Sequence, residues 1–408
     1  ARFELAKQIN ESQLTSLLTD RQSDVKIQGL LVAYSMETLI TDQQLRQLLR
    51  DAYEPVRKTT LFYIGAKQVT TMLDEVEKSL KDGLITADMF ETYLATIQNL
   101  QADFVQEYQQ KNQKANSLKR PLPDNLIEGI VTNEKLDESI RGLALPYLEE
   151  PQTQAALFLE LLNTAKSETF QLALINAMRN VGHAYQGDPN YNQVLLQLAR
   201  SEQYSDRVRS HALAALNTGD DQAMALAENL QKVEVPVMQF AATKYLNAYA
   251  DAPAESRQDY TKDQYRAAVN EQGDPYRGEL VFKARASMCQ TCHKVDGWGG
   301  NFGPDLTRIG SSKTQRQLMN GILEPSLEMA PEWQGWYVID QEGNRHVGRQ
   351  IDVHLHNVEL MNINGGFDTY RKPRSFGVET KSVMPEGLQN SMSLSEFNDL
   401  IAYLISLK

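Results

Sequence analysis

The chain has 408 residues, of which 41% are hydrophobic and 23% are charged, a composition typical of a globular protein with room for two or more domains. It contains no apolar run long enough to span a bilayer, and its net charge of −12 disfavours binding to nucleic acid, whose phosphates would repel it. Residues 277–408 contain 14 basic and 15 acidic side chains, so nearly all of the net charge lies in residues 1–276. This uneven charge predicts a boundary between an acidic module and an almost neutral one.

Residues 1–250 are rich in Leu, Ala, Gln and Glu and show helical periodicity throughout. They begin with ARFELAKQ, which is polar and looks like the middle of a helix, so we expect that a leader was removed or that the chain is a piece of a longer polypeptide. A degenerate repeat runs through them, and its leading apolar residues are 30, 38 and 29 positions apart: Ile140, Phe170, Val208 and Val237. Such spacing fits one helix pair per unit, with each pair stacked on the next.

These units resemble HEAT repeats, and the resemblance implies an α-solenoid over residues 1–250, which we interpret as a spacer or a docking platform. In the segment DRVRSHALAALN, four apolar residues are expected on one helix face: Val208, Ala212, Ala215 and Leu216. His183 and His211 lie in these helices, and we interpret both as ordinary surface or core residues. Residues 251–276 are polar and bounded by Pro and Gly, which predicts a linker with room for one short helix.

The only two cysteines, Cys289 and Cys292, are followed directly by His293 in the stretch SMCQTCH. A structural zinc site needs four ligands, and His354 and His356 on a strand would complement this spacing poorly. A thioredoxin-type dithiol needs a preceding strand, whereas RGELVFKARASM looks helical. Covalent attachment of a c-type haem explains the spacing, because two thiols one helical turn apart can bond to the two vinyl groups of one porphyrin. The imidazole that follows is then the proximal iron ligand, and we favour this interpretation.

The flanking sequence supports haem attachment and predicts how the segment folds. Amphipathic helices are expected at GELVF and at the C-terminal LSEFNDLIAYLISL. In single-haem cytochromes c the first and last helices cross closely, so we expect Gly278 to lie against Tyr403. In GPDL, the carbonyl of Pro304 is placed to accept a hydrogen bond from Nδ1–H of His293, and Leu306 is expected to pack against the porphyrin.

Over residues 277–408, the succession F…CxxCH…DGxGG…GPDL…ILEPS…MPEGL…DLIAYL resembles the C-terminal haem-binding domain described from planctomycetes and verrucomicrobia. The resemblance implies a mainly α protein in which a single-haem class I cytochrome c domain follows HEAT-like repeats, often with a β-propeller dehydrogenase-like domain further upstream. It points to Met384 of SVMPEGL as the sixth iron ligand, as does the position of this turn before the last helix. A thioether ligand favours reduced iron and raises the potential. Alternatively Met384 fills the core, with Met319, Met361 and Met392 as weaker candidates for the ligand.

A small antiparallel β insertion of about three or four strands is predicted at about 334–381, where the sequence alternates like strands and EGN and NGG supply turns. Its histidines fit a polar strand face or, alternatively, a distal iron ligand or a metal site: His346, His354 and His356. Four basic residues near the methionine turn are candidates for neutralising haem propionates or docking an acidic partner, with a solvated loop as the alternative: Arg371, Lys372, Arg374 and Lys381.

These features predict an electron-transfer protein rather than an enzyme, with one covalently attached haem c whose iron is coordinated by protein on both sides. We expect a redox protein partner, a sugar or alcohol dehydrogenase, which is inferred from the domains that neighbour this family. Two alternatives stay open: a haem enzyme or sensor of peroxide or gas with an open sixth position, and a scaffold in which the helical repeats act and the haem is vestigial. Because c-type haem is attached outside the cytoplasm, we expect a periplasmic location in a bacterium.

Overall fold

The computed structural model describes residues 8–36, 40–101, 122, 125–148, 155–184, 189–216, 220–249, 260–284, 287–354, 357–363 and 365–408. The protein is mainly helical and has a small antiparallel sheet region. It divides into two compact units, Ala1–Glu149 and Glu150–Lys408. The division falls inside the segment that the sequence assigns to repeats, and the predicted boundaries at 250 and 276 stay predictions. Among the described helices, none has the length and apolar character needed to cross a membrane.

Helices stacked in chain order build the first unit. They are α1 (Glu11–Leu18), α2 (Ser23–Tyr34), α3 (Asp42–Leu49), α4 (Glu54–Ala66), α5 (Leu73–Lys81), α6 (Ala87–Leu100), α7 (Leu126–Thr132) and α8 (Glu138–Ala144). Capping boxes start α1 and α3, in which Asn10 and Thr41 exchange hydrogen bonds with Gln13 and Gln44. Helix α4 packs against α2, α3 and α6, so successive helix pairs cover each other's apolar faces.

The second unit opens with six further helices: α9 (Ala155–Thr164), α10 (Glu168–Ala184), α11 (Pro189–Arg200), α12 (Asp206–Ala215), α13 (Asp221–Leu230) and α14 (Pro236–Tyr249). Helix α12 packs against α10, α11 and α14. The four residues predicted on one face of its segment are all buried. Of the leading repeat residues, Ile140, Phe170 and Val208 are buried, but Val237 is half-exposed and Met238 is buried instead. The predicted leading residue in α14 was therefore wrong by one position.

The C-terminal part contains α15 (Lys262–Ala268), α16 (Pro275–Lys283), α17 (Cys289–Cys292), α18 (Ile309–Ser312), α19 (Gln315–Leu323) and α20 (Leu394–Ser406). Buried side chains of α15, α16, α19 and α20 form one hydrophobic cluster, which we call the helical core. Tyr265, from the predicted linker, packs in it against Phe397 with ring centroids 5.1 Å apart. Its hydroxyl lies 2.7 and 2.9 Å from the carbonyl oxygens of Gln389 and Met392. The described part of the predicted linker therefore belongs to this core.

Helices α16 and α20 cross closely at Gly278. A Cβ at this position would overlap the carbonyl oxygen of Asp399 and lie 2.8 Å from Cβ of Tyr403. One turn further along α16, the ring of Phe282 packs against Tyr403 with centroids 5.6 Å apart. The predicted approach of Gly278 to Tyr403 is confirmed, because only a residue without a side chain allows the two backbones to come this close.

A two-stranded ribbon, β1 (Lys294–Val295) with β2 (Trp298–Gly299), follows α17. The insertion is a five-stranded antiparallel sheet, β3 (Gly335–Ile339), β4 (Arg345–His354), β5 (Asn357–Met361), β6 (Phe367–Arg371) and β7 (Ser375–Val378), in the order β6-β5-β4-β3-β7. Its position agrees with the predicted insertion. The predicted number of three or four strands was wrong by at least one, because the short β7 adds to the free edge of β3.

A buried charge cluster on α16 contacts the helices that precede it. The Glu279 carboxylate lies 2.8 Å from Nζ of Lys283, 2.7 Å from Arg207 and 3.3 Å from Nε2 of His211. The guanidinium of Arg179 donates to the carbonyl of Lys283. Burial lowers the pKa of His211; Glu279 opposes this effect and Lys283 adds to it. Because an unpaired buried charge is strongly unfavourable, this cluster holds α10 and α12 against α16.

Replacing Gly278 by Ala should lower the free energy of unfolding by at least about 2 kcal/mol, because the new methyl group forces the two helices apart. Urea denaturation measures the change. Gly321→Ala is the matched control, since a Cβ at this helical glycine meets no atom within 4 Å. It should be neutral or stabilise the protein by up to about 1 kcal/mol. Equal effects of the two substitutions would contradict the close crossing.

Acidification should destabilise the fold through His211. Its pKa in the folded state is lowered, so the unfolded chain binds more protons as the pH falls below about 6.5. The contribution of neutral His211 to the free energy of unfolding is therefore present above this pH. It is lost below it, by up to about 1.4 kcal/mol per pH unit. Urea titrations between about pH 7.5 and 5.5 should show a weaker pH dependence in His211→Gln than in the wild type. The exposed His354, changed to Gln, should leave the wild-type dependence in place.

Candidate functional site

The two cysteines lie on the single helical turn α17. Ser287 starts this turn by donating its hydroxyl to carbonyl oxygens at the end of α16, and Met288 follows in the left-handed region with φ 58°. The backbone N–H of His293 donates to the carbonyl of Cys289 at 2.9 Å. Cys289 and Cys292 therefore lie one turn apart and His293 follows directly, as haem attachment requires.

Both thiols are half-buried and neither forms a disulfide. Burial raises the pKa of Cys289 to about 11 and also raises the pKa of Cys292. In dithiol oxidoreductases, by contrast, the attacking thiol has a lowered pKa. The described element before the cysteines is helix α16 and not the strand that the dithiol interpretation needs.

The imidazole of His293 has a defined tautomer. Its Nδ1 lies 2.8 Å from the carbonyl oxygen of Pro304, and because a carbonyl can only accept, Nδ1 carries the proton and Nε2 keeps its lone pair. Burial lowers the pKa of His293, while the Pro304 carbonyl and Asp305 oppose this shift. The predicted bond from His293 to Pro304 is confirmed, and it leaves Nε2 chemically able to bind a metal ion.

A glycine-rich loop covers the cysteine turn and the imidazole. The backbone N–H groups of Gly300 and Gly303 donate to the carbonyl oxygens of Gln290 and Cys292, at 2.9 and 2.8 Å. A Cβ on Gly300 would overlap the backbone of the cysteine turn, and one on Gly303 would lie 2.5 Å from Cε1 of His293. Glycine at these positions therefore lets the loop pack directly on the turn and on the ring.

Leu306 and Met384 pack against the helical core, as the first cysteine does. Leu306 is fixed by its N–H, which donates to the carbonyl of Lys294 at 2.8 Å. The N–H of Met384 donates to Oγ of Ser382 at 3.1 Å. The side chains of Cys289, Leu306 and Met384 are partly buried against the helical core. These three predicted site residues therefore pack against the same hydrophobic core.

The other candidate methionines differ in their surroundings. Met361 is completely buried in the sheet and Met392 is buried in the helical core. Met288, beside the first cysteine, is exposed. Met319 is partly buried against the helical core, as Met384 is. Met384 and Met319 are therefore the candidates that combine partial exposure with contact to this core.

The histidines of the sheet have ordinary surroundings. His346 donates from Nε2 to Asp340 at 2.8 Å, which lowers the pKa of Asp340 to about 2, and its ring packs on Tyr370. His354 is exposed beside Asp352, and His356 lies outside the described residues. Within the described ranges, no three His, Cys, Asp or Glu side chains are grouped as in a metal site.

The four basic residues near the methionine turn are exposed: Arg371, Lys372, Arg374 and Lys381. The turn of β6 and β7 that carries the first three lies beside the turn of β3 and β4. Gln341 donates to the carbonyl of Lys372, and Arg374 lies next to Gly343. Because the β3–β4 turn also carries Asp340 and Glu342, this surface has mixed charge rather than a purely basic character.

Sequence reasoning missed two arginines of β4 that reach the loops around the site. Arg349 donates from Nη1 to the carbonyl of Asn301, in the glycine-rich loop, at 2.8 Å. Arg345 forms an ion pair with Glu379, in the segment that leads to Met384. The available signal was their spacing of four residues in a strand, which places both on one face of the sheet.

Comparison with models of known protein families finds no match, and comparison with curated proteins finds none either. Among solved structures, the chain is similar to human deoxyhypusine hydroxylase in complex with glycerol, with 15% sequence identity and a TM-score of 0.26. That similarity covers 61% of this chain and 88% of the hydroxylase chain. A similarity at this level carries no argument about fold or function.

Gly303→Ala should displace the imidazole of His293 and break its bond to Pro304, because the added methyl group would lie 2.5 Å from the ring. We expect a loss of about 1–3 kcal/mol in the free energy of unfolding. In ¹⁵N-resolved NMR spectra, the hydrogen-bonded Nδ1–H signal of His293 should exchange faster or disappear. Gly321→Ala again serves as control, and an unchanged Nδ1–H signal in Gly303→Ala would contradict the packing described above.

Proposed function

We propose that this protein is a single-haem c-type cytochrome that transfers single electrons. The observation that carries the proposal is the hydrogen bond from Nδ1 of His293 to Pro304, directly after a helical turn with Cys289 and Cys292. This arrangement orients an imidazole as a proximal iron ligand beside two thiols with the spacing of haem attachment. The resemblance of residues 277–408 to a haem-binding domain supports the same conclusion.

The residues present fit the prosthetic group. Cys289 and Cys292 would hold the porphyrin through thioether bonds, Nε2 of His293 and the sulfur of Met384 would coordinate the iron, and Leu306 would cover the ring. When bound, haem c supplies a one-electron Fe(III)/Fe(II) couple. The Pro304 carbonyl fixes the histidine tautomer and increases the basicity of Nε2, and the thioether of Met384 favours the reduced state. The close crossing of α16 and α20 supports a cytochrome c-like fold for this part.

The stacked helices support a HEAT-like platform beside the cytochrome part. In unit two, α12 and α14 pack against α16, which places the repeat-like helices directly on the first helix of the haem-binding segment. We propose that this platform docks a redox partner, a dehydrogenase of sugars or alcohols, which is the class that the family resemblance implies. Because c-type haem is attached outside the cytoplasm, the proposed haem supports a periplasmic location in a bacterium. The resemblance also supports an electron-transfer role without an enzymatic reaction of its own.

Optical spectra of the full chain, produced with a haem-attachment system, test this function. The reduced protein should show the sharp bands of low-spin haem c, the oxidised protein a weak far-red band from sulfur-to-iron charge transfer, and carbon monoxide should change neither. Cys292→Ala should lose one thioether bond, seen as a shift of the pyridine haemochrome band. A preparation that carries no covalent haem would refute the proposal.

The variants Met384→Ala and Met319→Ala show which of these two half-buried methionines is the sixth iron ligand. Loss of the far-red band only in Met384→Ala is expected, and loss only in Met319→Ala would move the ligand to that residue. High-spin spectra of the wild type that shift with carbon monoxide would show an open iron. That outcome would favour the alternative function, catalysis or the sensing of peroxide or gas.

A further inference from the structure

Two loops position the iron ligands of the proposed cytochrome, one by packing on His293 and one by carrying Met384, and both contact the five-stranded sheet. The first is the glycine-rich loop 299–304, which packs on His293 and supplies the Pro304 carbonyl. The second is the segment 379–384, which ends at Met384. We call them the histidine loop and the methionine loop. The two are far apart in sequence, so a structural element must fix their relative position.

Arg349 of β4 fixes the histidine loop. Its guanidinium lies 5.1 Å from the ring centroid of Trp333 and donates to the carbonyl of Asn301 at 2.8 Å. Asn301 sits between the two glycines whose N–H groups bind the cysteine turn. The turn between β5 and β6 lies nearby, since a Cβ built on Gly365 would be 3.4 Å from Oδ1 of Asn301. A planar guanidinium held against an aromatic ring loses little freedom on forming such a bond.

Arg345 fixes the methionine loop from the same strand. The regular pairing of β3 with β4 places Arg345 and Arg349 on one face of the sheet. The guanidinium of Arg345 lies 5.0 Å from the ring centroid of Tyr337 and forms an ion pair with Glu379. The N–H of Glu379 in turn donates to the carbonyl of Gly335 in β3 at 2.7 Å.

The remainder of the methionine loop also rests on this sheet and on the segment before it. Val383 packs on Gly335 so closely that a Cβ there would lie 2.5 Å from Cγ1 of the valine. The N–H of Ser382 donates to Oγ of Ser326 at 3.1 Å, and Ser382 accepts from the N–H of Met384. The backbone that leads to Met384 is therefore held by the sheet and by Ser326.

We propose that the sheet Gly335–Val378 is a clamp that positions both iron ligands, with Arg349 holding the histidine loop and Arg345 holding the methionine loop. Both arginines are positioning residues, since they act through the loops and touch neither His293 nor Met384 in the contacts described. The role of the clamp in positioning iron ligands rests on the proposed haem function. The contacts of Arg345 and Arg349 are formed by the chain itself and do not require haem. The contacts of the two arginines with their loops can therefore be tested separately from haem binding.

Hydrogen exchange of the full-length protein, followed by mass spectrometry, measures how strongly each arginine protects the N–H groups of its loop. In Arg349→Gln, the N–H groups of Gly300 and Gly303 should exchange about tenfold faster, the effect of losing one hydrogen bond from a charged donor. The methionine loop should keep its wild-type rate. In Arg345→Gln the pattern should be reversed, with faster exchange in residues 379–384. Arg371→Gln, at an exposed arginine of the same sheet, is the matched control and should change neither loop.

Haem content and the far-red band are measured on the same samples. Arg345→Gln should weaken the band by loosening Met384, whereas Arg371→Gln should leave it unchanged. If neither arginine variant differs from Arg371→Gln in hydrogen exchange, the clamp is wrong even if haem is attached. If the exchange patterns are as expected but the wild type carries no haem, the clamp stands and the proposed function fails.

A second substitution at Arg349 keeps the proposal testable if the first variant misfolds. If Arg349→Gln does not fold, Arg349→Lys keeps the positive charge but loses the planar group that lies over Trp333. It should show faster exchange confined to the histidine loop, by a smaller factor than tenfold. Uniformly faster exchange over the whole second unit in this milder variant would mean that Arg349 supports the fold in general, and the clamp would be rejected.

Discussion

The close crossing of α16 and α20 is the constraint on which the second unit depends. Gly278 lets the backbone of α16 approach the carbonyl of Asp399, and the carboxylate of Asp399 accepts hydrogen bonds from Asp274 N–H and from Arg277 at 2.8 and 3.0 Å. With the two helices fixed in this way, Phe282 can pack on Tyr403. The cysteine turn follows α16 within a few residues, so the crossing also determines where this turn lies. The crossing thereby connects the helical core to the candidate haem site.

A neighbouring face of α16 gives the same helix a second role. Glu279 and Lys283 are almost completely buried. Glu279 pairs with Lys283, Arg207 and His211, and Arg207 also pairs with Glu168. Removing Glu279 alone would leave the buried ammonium group of Lys283 without a counter-charge, which costs about 3–5 kcal/mol in comparable buried pairs. Within the second unit, helices α10 and α12 and the segment that begins with α16 therefore form a specific, charge-matched contact. A partner docked on α10–α14 would be held in a fixed relation to the cysteine turn.

Local patterns predicted the parts of the site that are close in sequence. The spacing of CQTCH, the carbonyl of Pro304 and the glycine of the helix crossing follow from short motifs, and the structure has the His293–Pro304 bond and the Gly278–Tyr403 approach. Apart from the approach of Gly278 to Tyr403, which the comparison with single-haem cytochromes c predicted, long-range pairs were not predictable. Glu279 and Lys283 look like a solvated pair four residues apart on a helix, and only tertiary packing turns them into a buried cluster. The strand count failed for a related reason, because Ser375–Val378 is short and gains its strand conformation from pairing with β3.

The sheet explains how a thioether could be held near an iron so far along the chain from the histidine. About 60 residues separate the end of α19 from Met384, and closing a flexible loop of that length costs about 4 kcal/mol plus a constant. In this protein the sheet folds the insertion, and its own pairing and small core of Val338, Val358 and Leu360 offset that loss. Val383 against Gly335 and Ser382 against Ser326 then fix the methionine loop with contacts that need no metal. A weak ligand such as a thioether benefits most from this arrangement, because its binding need not order the loop.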